Sequence, residues 1–237
     1  PWRDGFWYMN KKINFNHRQI NITYRDDSDL SVIDEFFVDR MYRSTEYLIS
    51  NIQYPIIDIG AHIGVFSLYS YVLNPKSYVI ALEPEPNNYR LLEENLRLNN
   101  CKNVKPIHAA LIAGNDLNTK LYLSKNSHNH STVKQSGNLT IQQFNNSTIT
   151  VPAISLERLI KKYKLKTIGL LKMDIEGAEF EIVLNIEHGT WNKIQYVVIE
   201  YHESKNNKRA DLENTIRQQG FSIEHFPNKF DKRFGLL

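Results

Sequence analysis

Cysteine occurs only once in this sequence, at Cys101, which excludes an internal disulfide and a zinc site built from cysteines. No run of 18 apolar residues occurs, so the sequence predicts no membrane span. The net charge is only +3, which gives no indication of a nucleic-acid partner. A lone cysteine and an N-terminus without the apolar core of a signal peptide favour a reducing compartment. We therefore expect a cytoplasmic protein.

The composition is that of an ordinary globular protein, because 41% of the 237 residues are hydrophobic and 23% are charged. Residues 1–40 begin with a polar and aromatic stretch without a clear period, and we expect them to form an N-terminal cap, in part a hairpin. Residues 41–237 should form the main domain. A stretch rich in Asn, Ser and Thr predicts a polar hairpin insertion at about 114–150.

Short apolar runs alternate with segments of helical period along the main domain. The runs predict buried strands at 55–60, 78–82, 104–109, 168–173 and 195–200, and a last strand at 221–226. Helices are predicted at 31–51, 65–73, 86–99, 178–186 and 210–219, and another begins after Ser155. This alternation predicts an α/β fold with a doubly wound, mostly parallel sheet. A ligand should bind beyond the carboxyl ends of its strands.

Residues 58–64 connect the first predicted strand of the main domain to a helix and contain two glycines. Gly60 permits a tight turn and close approach of the backbone to a ligand. Gly64 lets the start of the helix pack near the sheet. His62 stands where a dinucleotide-binding turn would have its second glycine, and its side chain would crowd a pyrophosphate. This departure weakens a dinucleotide-binding interpretation. Residues 60–64 are called the glycine turn below.

Glu83 lies at the end of the second predicted strand, 23 residues after Gly60. A carboxylate at this place can accept hydrogen bonds from both hydroxyls of a ribose. The turn and the acid together predict a site for a nucleoside cofactor without a pyrophosphate, such as S-adenosylmethionine, whose ammonium group Asp58 would reach. The alternative is a turn whose glycines serve only the backbone.

The segment Leu170–Glu179 resembles the signature of the FkbM family of methyltransferases, which use S-adenosylmethionine. Four further segments resemble family motifs in the family's order: Asp58–Gly64 (D-[VI]-G-A-N-x-G, with His62 in place of the asparagine), Glu83–Pro84 (E-P), Val151–Leu156 (V-P-x-x-[ST]-L) and Ile199–His202 (the E-x-H end of a strand). The resemblance covers about residues 40–205.

This resemblance implies a class I methyltransferase fold, which is Rossmann-like and has a seven-stranded sheet with an antiparallel last strand. It also implies S-adenosylmethionine as the cofactor and a small metabolite or glycan as the acceptor, methylated on a hydroxyl oxygen. The candidate cofactor-binding residues are Glu46, Asp58, Gly60, Ala61, His62, Gly64, Glu83, Pro84 and Asp174.

Ionisable residues crowd the end of the strand predicted at 168–173. Asp174 and Glu176 are two positions apart, so an extended backbone would put them on the same side. Lys172 lies in an otherwise apolar strand, where an unpaired charge is costly, and we expect it to pair with one of the nearby acids. Glu179 falls in the first turn of the next helix, where the helix dipole favours an acid. A structural role suits Glu179 best.

His202 directly follows the next predicted strand and should lie at the same edge of the sheet. Because the unperturbed pKa of histidine is about 6.5, it could take the proton of an acceptor hydroxyl near neutral pH, with Asp174 beside it. The candidate catalytic residues are Asp174, His202, Lys172 and Glu176. His128 and His130 lie in the polar insertion without an acid at metal-ligand spacing, so no metal site is predicted.

Two other functions remain open at this point. The first is a nucleotide-dependent oxidoreductase on a Rossmann-type sheet, against which the missing second glycine and the segment Lys172–Gly177 count. The second is a partner subunit that binds the cofactor without catalysing a reaction. The intact Asp58, Gly60, Gly64 and Glu83 count against loss of binding, but not against loss of chemistry.

Overall fold

The computed structural model describes residues 2–3, 6–124, 130–132, 144–227 and 234–237. The strands are β1 (Trp2–Arg3), β2 (Phe6–Trp7), β3 (Met9–Phe15), β4 (Arg18–Tyr24), β5 (Ile56–Ile59), β6 (Val79–Leu82), β7 (Val104–Ile107), β8 (Ala110–Leu111), β9 (Asn118–Ser124), β10 (Phe144–Ile154), β11 (Ile168–Met173), β12 (Ile194–His202), β13 (Phe226–Pro227) and β14 (Phe234–Leu236). The α-helices are α1 (Asp27–Phe37), α2 (Glu46–Asn51), α3 (Val65–Leu73), α4 (Pro86–Leu98), α5 (Leu156–Tyr163), α6 (Glu179–Asn185), α7 (His188–Trp191) and α8 (Arg209–Gln218).

Seven strands form the central sheet in the order β13-β14-β12-β11-β5-β6-β7. Strands β12, β11, β5, β6 and β7 are mutually parallel, and β14 is antiparallel to both of its neighbours. This confirms the predicted doubly wound, mostly parallel sheet with an antiparallel strand from the end of the chain. Because helices cover both faces, the central strands β5, β6 and β11 are buried throughout, which is why they are uninterrupted apolar runs.

The two faces of the sheet carry separate apolar clusters. Ile57 and Ile59 of β5 belong to the cluster that includes side chains of α5, α6 and α8, whereas Ile56 belongs to the cluster on the opposite face. This follows from the alternation of side chains along a strand. Asp58 therefore points towards the face that carries α3, where Ser67 donates a hydrogen bond to its Oδ2 atom over 2.7 Å.

Residues 9–37, comprising the β3–β4 hairpin and α1, pack on this second face and are called the N-terminal segment. Ile20, Ile22 and Ile33 share one buried cluster with Leu68 of α3. Asn95 of α4 also binds the backbone of the hairpin through both of its side-chain amide atoms. The segment therefore packs into the core of the sheet, and the division predicted at residue 40 remains a prediction.

The helix predicted at 31–51 is two helices in the structure. The backbone N–H groups of Val38 and Asp39 both donate to the Asp34 carbonyl, which closes α1. Arg40 then adopts a φ of 56°, a left-handed conformation that ends regular helical hydrogen bonding. A short 3₁₀ turn over Arg43–Thr45 leads into α2. The apolar period continued across this break, so the sequence pattern did not reveal it.

The last strand predicted at 221–226 was also wrong. Strand β13 contains only Phe226–Pro227. The antiparallel neighbour of β12 is β14, which the sequence analysis did not predict. Three residues are too few to show a strand period. The position of β14 is set by its ladder to β12, in which Glu200 lies opposite Leu236.

The polar insertion contains β9 and β10, which pair antiparallel, while β8 pairs with β10 in parallel. These three strands form a sheet of their own. Ser131 donates a hydrogen bond over 2.8 Å to the carbonyl oxygen of Glu176, so this part of the insertion reaches the end of β11. His128 lies outside the described residues, whereas the Nδ1 atom of His130 accepts from the N–H of Ser124. No helix in the described parts of the chain has the length and apolar character needed to cross a membrane.

Candidate active site

The glycine turn crosses directly beneath the end of β11. A Cβ atom at Gly60 would lie 1.8 Å from the carbonyl oxygen of Asp174, and the φ of Gly60 is +75°. At Gly64, where φ is +92°, a Cβ atom would lie 2.7 Å from the Leu92 side chain. The N–H groups of Gly60 and Ala61 donate to the carbonyl of Leu82 at the end of β6. Both glycines are therefore required by the backbone, and the turn is fixed between two strand ends.

Glu83 lies at the end of β6 and is 4% exposed. Its Oε2 atom accepts from the N–H of His62 over 2.8 Å, and its Oε1 atom accepts from the N–H of Glu85, also over 2.8 Å. Burial raises the pKa of Glu83, although His62 and the backbone N–H of Glu85 partly oppose this. Oε1 also accepts from the side-chain amide of Asn88 over 3.4 Å, so the second acceptor position of Oε2 is the one that fits a ribose hydroxyl. The ribose-binding role of Glu83 remains a prediction.

The His62 side chain is buried and directed at the N-terminal segment. Its Nε2 atom lies 3.1 Å from Oδ1 of Asp29 on α1, and Arg25 donates to both carboxylate oxygens of Asp29. Burial raises the pKa of Asp29, but His62 and Arg25 outweigh it and hold that pKa well below its usual range. The side chain that would crowd a pyrophosphate is thus engaged with α1.

Lys172 forms a buried ion pair behind the glycine turn. Its Nζ atom lies 3.2 Å from Oδ1 of Asp58 and 3.7 Å from Oδ2 of Asp174, and it donates to the carbonyl of Gly60 over 3.1 Å. Burial lowers the pKa of Lys172, but Asp58 and Asp174 outweigh it and raise that pKa. The expected pairing was with an acid of the segment after β11, and Asp174 provides it at 3.7 Å, but the closer partner is Asp58 of β5, which was not expected. Asp58 is completely buried, and its contact with a cofactor's ammonium group, direct or through water, remains a prediction.

His202, at the end of β12, lies between two carboxylates. Its Nδ1 atom is 3.1 Å from Glu179 and its Nε2 atom is 3.4 Å from Glu176. Burial lowers the pKa of His202, but Glu176 and Glu179 outweigh it and raise that pKa well above its usual value. Burial also raises the pKa of Glu176 to about 7, despite the nearby His202. The two carboxylates therefore favour the charged form of the imidazole.

Glu179 determines the shape of the turn between β11 and α6. It is completely buried, and its carboxylate accepts from the N–H groups of Ile175 over 3.0 Å and Gly177 over 2.7 Å. These bonds support a turn in which Glu176 adopts a φ of 55°. The structural role expected for Glu179 agrees with these contacts, and its bond to His202 connects the turn to β12.

Asp174, Glu200 and His202 each offer a polar atom, and these atoms all lie within 4.8 Å of one another. Asp174 is the more open side chain, with 31% exposure against 11% for His202. Three such groups could hold a divalent cation, although both ring nitrogens of His202 already face carboxylates. Asp174, Glu176, Glu179, Glu200 and His202 are called the strand-end cluster below.

Glu35 of α1 is a candidate that the sequence analysis missed. Burial raises its pKa to about 7, with further contributions from the negative charges of Asp174 and Asp39. The charge of Glu35 in turn contributes to raising the pKa values of Glu176 and Glu200. The N-terminal segment therefore adds a carboxyl group beside the strand-end cluster. Only its place within a predicted helix was visible in the sequence.

Glu46 and Pro84, two further predicted cofactor-binding residues, contact residues outside the glycine turn. Glu46 on α2 accepts hydrogen bonds from Arg40 and, over 2.6 Å, from the hydroxyl of Tyr69. These contacts do not bring it to the glycine turn, and its role at the amino-acid end of the cofactor remains a prediction. The carbonyl oxygen of Pro84 lies 2.9 Å from Nε2 of His108.

Comparison with known proteins agrees with this geometry. The family model described as the methyltransferase FkbM domain matches residues 58–223. The chain is 30% identical over 194 residues to methyltransferase sdnD of Sordaria araneosa, with 71% of this chain and 73% of that protein covered. It is 24% identical over 218 residues to the 31-O-demethyl-FK506 methyltransferase FkbM of Streptomyces tacrolimicus, with 80% of each covered.

Among solved structures, the METTL16 MTase domain has a TM-score of 0.50 to this chain at 16% identity, with 82% of this chain and 64% of that one covered. This likeness shows a shared fold, the class I methyltransferase sheet. The predicted family resemblance and cofactor are confirmed, and the oxidoreductase alternative is set aside. Since the family model spans the glycine turn, Glu83 and the strand-end cluster, this chain belongs to the FkbM family of S-adenosylmethionine-dependent methyltransferases.

Proposed function

We propose that the protein methylates a hydroxyl oxygen on a small metabolite or a glycan. The observation that carries this proposal is the strand-end cluster, in which Asp174, Glu200 and His202 converge within 4.8 Å beside the glycine turn. An acceptor hydroxyl must lose a proton on methylation, and carboxylates are suited to take it. The name of the Streptomyces tacrolimicus relative, 31-O-demethyl-FK506 methyltransferase, agrees with an oxygen acceptor.

The glycine turn and Glu83 are the residues proposed to hold the cofactor. When bound, S-adenosylmethionine supplies a methyl group on a positively charged sulfur. Glu83 presents two acceptor oxygens at the end of β6, held in place by two backbone N–H groups. The carboxylates at the end of β11 provide a negative environment at the same edge of the sheet, which favours a positively charged ligand.

The structure gives a physical reason to assign the proton to a carboxylate. Both nitrogens of His202 face acids, which raise its pKa well above the usual value and so favour its charged form. A charged imidazole cannot accept a further proton. Asp174 is nearer to solvent, with a side chain 31% exposed, and we infer that it is the acceptor of the proton. His202 then serves as the cation that holds Glu176 and Glu179.

The insertion is proposed to border the acceptor site. The hydrogen bond from Ser131 to the carbonyl of Glu176 supports this, since it joins the insertion to the turn that carries the strand-end cluster. Loops at the carboxyl edge of a parallel sheet are where such folds bind their variable ligands. The same placement would allow the insertion to select the acceptor without changing the cofactor site.

The proposal is tested with the purified chain, S-adenosylmethionine and a panel of hydroxylated metabolites and glycans, together with their amine analogues. Methylated products are identified by mass spectrometry, and fragmentation distinguishes an ether from a methylamine. Asp174→Asn should lower kcat by about 10²–10⁴-fold, the range for loss of a general base. Asp211→Asn, at an exposed position on α8, is the control and should retain full turnover.

Three outcomes contradict parts of this proposal. Methylation only of the amine analogues would replace the hydroxyl acceptor with a nitrogen. Cofactor binding without any product across the panel would favour the inactive partner subunit. A pH–rate profile governed by His202, with Asp174→Asn close to the parent, would return the base role to the imidazole.

A further inference from the structure

A closed chain of buried polar contacts joins the N-terminal segment to the cofactor side of the sheet. The backbone N–H of His62 donates to Glu83, and the amide of Asn88 donates to the other oxygen of Glu83 over 3.4 Å. Arg25 donates to Asn88 and to both oxygens of Asp29. Asp29 lies 3.1 Å from the imidazole of His62, and this contact closes the chain.

The residues of this closed chain of contacts are buried, which restricts their positions. Asp29 is completely buried, and Arg25, His62 and Asn88 are each more than nine-tenths buried. An ion pair removed from water in this way contributes little net stability by itself, because desolvation opposes the attraction. Its contribution is to fix the relative positions of the parts that it joins. Those parts are α1, the glycine turn and the start of α4.

The backbone of His62 also needs support from outside the turn. Its φ of 51° is a left-handed conformation, which is uncommon for a residue other than glycine and costs about 1 kcal/mol or more. The next residue, Ile63, accepts a hydrogen bond from Asn95 over 2.8 Å, and Asn95 also binds the backbone of Thr23 in β4. The N-terminal segment thus contacts the turn directly at His62 and is linked to Ile63 through Asn95 of α4.

We propose that Asp29 is a positioning residue for the cofactor site, acting through His62 on Glu83. By holding the imidazole, Asp29 keeps the N–H of His62 directed at Oε2 of Glu83 and so fixes the carboxylate that binds the ribose. Docking of the N-terminal segment and binding of the cofactor then favour each other, as linkage requires. The inference rests on the ribose role of Glu83 in the proposed function.

The test compares three single variants of the full chain, and the double variant of Asp29→Asn with His62→Asn, by calorimetric titration with S-adenosylhomocysteine. Asp29→Asn removes the charge and keeps the shape of the side chain. His62→Asn removes the imidazole, leaves the Arg25–Asp29 pair intact and tolerates a positive φ. Asp27→Asn is the matched control, since Asp27 is exposed in the same first turn of α1.

Asp29→Asn and His62→Asn should each weaken binding by about 5- to 30-fold, and the double variant should weaken it little further, because the two residues act in one path. Asp27→Asn should bind as tightly as the parent. A merely structural Asp29 would lower the melting temperature and leave the affinity of the folded protein unchanged. That result, or fully additive losses, would overturn the proposal.

Hydrogen exchange supplies a second measurement that does not depend on the stability of Asp29→Asn. Addition of S-adenosylhomocysteine should slow amide exchange in α1 of the parent, and this slowing should be lost in His62→Asn. Equal slowing in both proteins would contradict the coupling. Failure of the parent to bind S-adenosylhomocysteine would instead refute the cofactor site itself. Weaker binding by Glu83→Ala, with unchanged binding by Asp29→Asn and His62→Asn, would refute only this inference.

Discussion

The buried pair of Lys172 and Asp58 allows a sharp separation of structural from catalytic roles. Lys172 was a candidate catalytic residue, yet it is 3% exposed and its ammonium group lies between Asp58 and the carbonyl of Gly60. Substitution of Lys172 by methionine retains the apolar stem and removes the charge. It leaves the Asp58 carboxylate buried, with Ser67 as its one hydrogen-bond donor among the residues that the structure describes. Removal of one partner of a buried pair costs about 3–5 kcal/mol.

We therefore expect Lys172→Met to lower the free energy of unfolding by about 3–5 kcal/mol, measured by urea denaturation without cofactor. Asp58→Asn in the same chain removes the unpaired charge and should restore about 1–3 kcal/mol of this loss. Lys161→Met, on the exposed side of α5, is the control and should change stability by no more than about 0.5 kcal/mol. If Lys172→Met folds with the stability of the parent but loses turnover, the structural interpretation fails and Lys172 belongs to the chemistry.

Four further predictions concern the same edge of the sheet. Gly60→Ala should not yield soluble folded protein, because its Cβ atom would lie 1.8 Å from a backbone oxygen; recovery of native circular dichroism would contradict this. The raised pKa values of His202 and Glu176 mean that the folded state binds protons more tightly than the unfolded chain. Stability should therefore fall as pH rises, through Glu176 between about 4.5 and 7 and through His202 above about 6.5, and His202→Gln should show a flatter profile above pH 7 in thermal denaturation. Glu83→Ala should weaken S-adenosylhomocysteine binding by about 1.5–3 kcal/mol in titration, whereas an unchanged affinity would remove Glu83 from the cofactor site. Ser131→Ala should lower turnover without changing cofactor affinity, and an equal loss of both would place the insertion in the cofactor site.

The sheet could be predicted because its central strands are buried on both faces. Burial makes 55–60 and 168–173 continuous apolar runs, and the residues after such runs must lie at the carboxyl edge. That rule alone brings the glycine turn, Asp174 and His202 together in the sequence analysis. It operates on local patterns, so it missed β14, which is too short to show a period, and the break between α1 and α2, across which the apolar period continues.

The partners of the site residues could not be predicted from local patterns. Whether Lys172 binds Asp58 or Asp174 depends on the register of β5 against β11, in which Lys172 lies opposite Asp58. The pairing of His62 with Asp29 and the proximity of Glu35 depend on how the N-terminal segment packs over the sheet. The raised pKa of His202 follows from the fold of the turn after β11, which brings Glu176 and Glu179 to either side of it.

The acids at this edge of the sheet differ in what balances their charge. Asp58 and Glu179 are completely buried, and each has a cation against it, Lys172 and His202 respectively. The charges of Asp58 and Glu179 are thus balanced by cations inside the fold. Asp174 and Glu200 lie nearer the surface, and the charge of Asp174 is the second-largest influence raising the pKa of Glu200, after burial. Two acids that repel each other are stabilised by an added positive charge or by a proton. In the proposed methyl transfer to oxygen, a cationic sulfur enters the site and a proton is left behind. Asp174, whose carboxylate lies 3.7 Å from Lys172 against 3.2 Å for Asp58, is the acid proposed to take that proton.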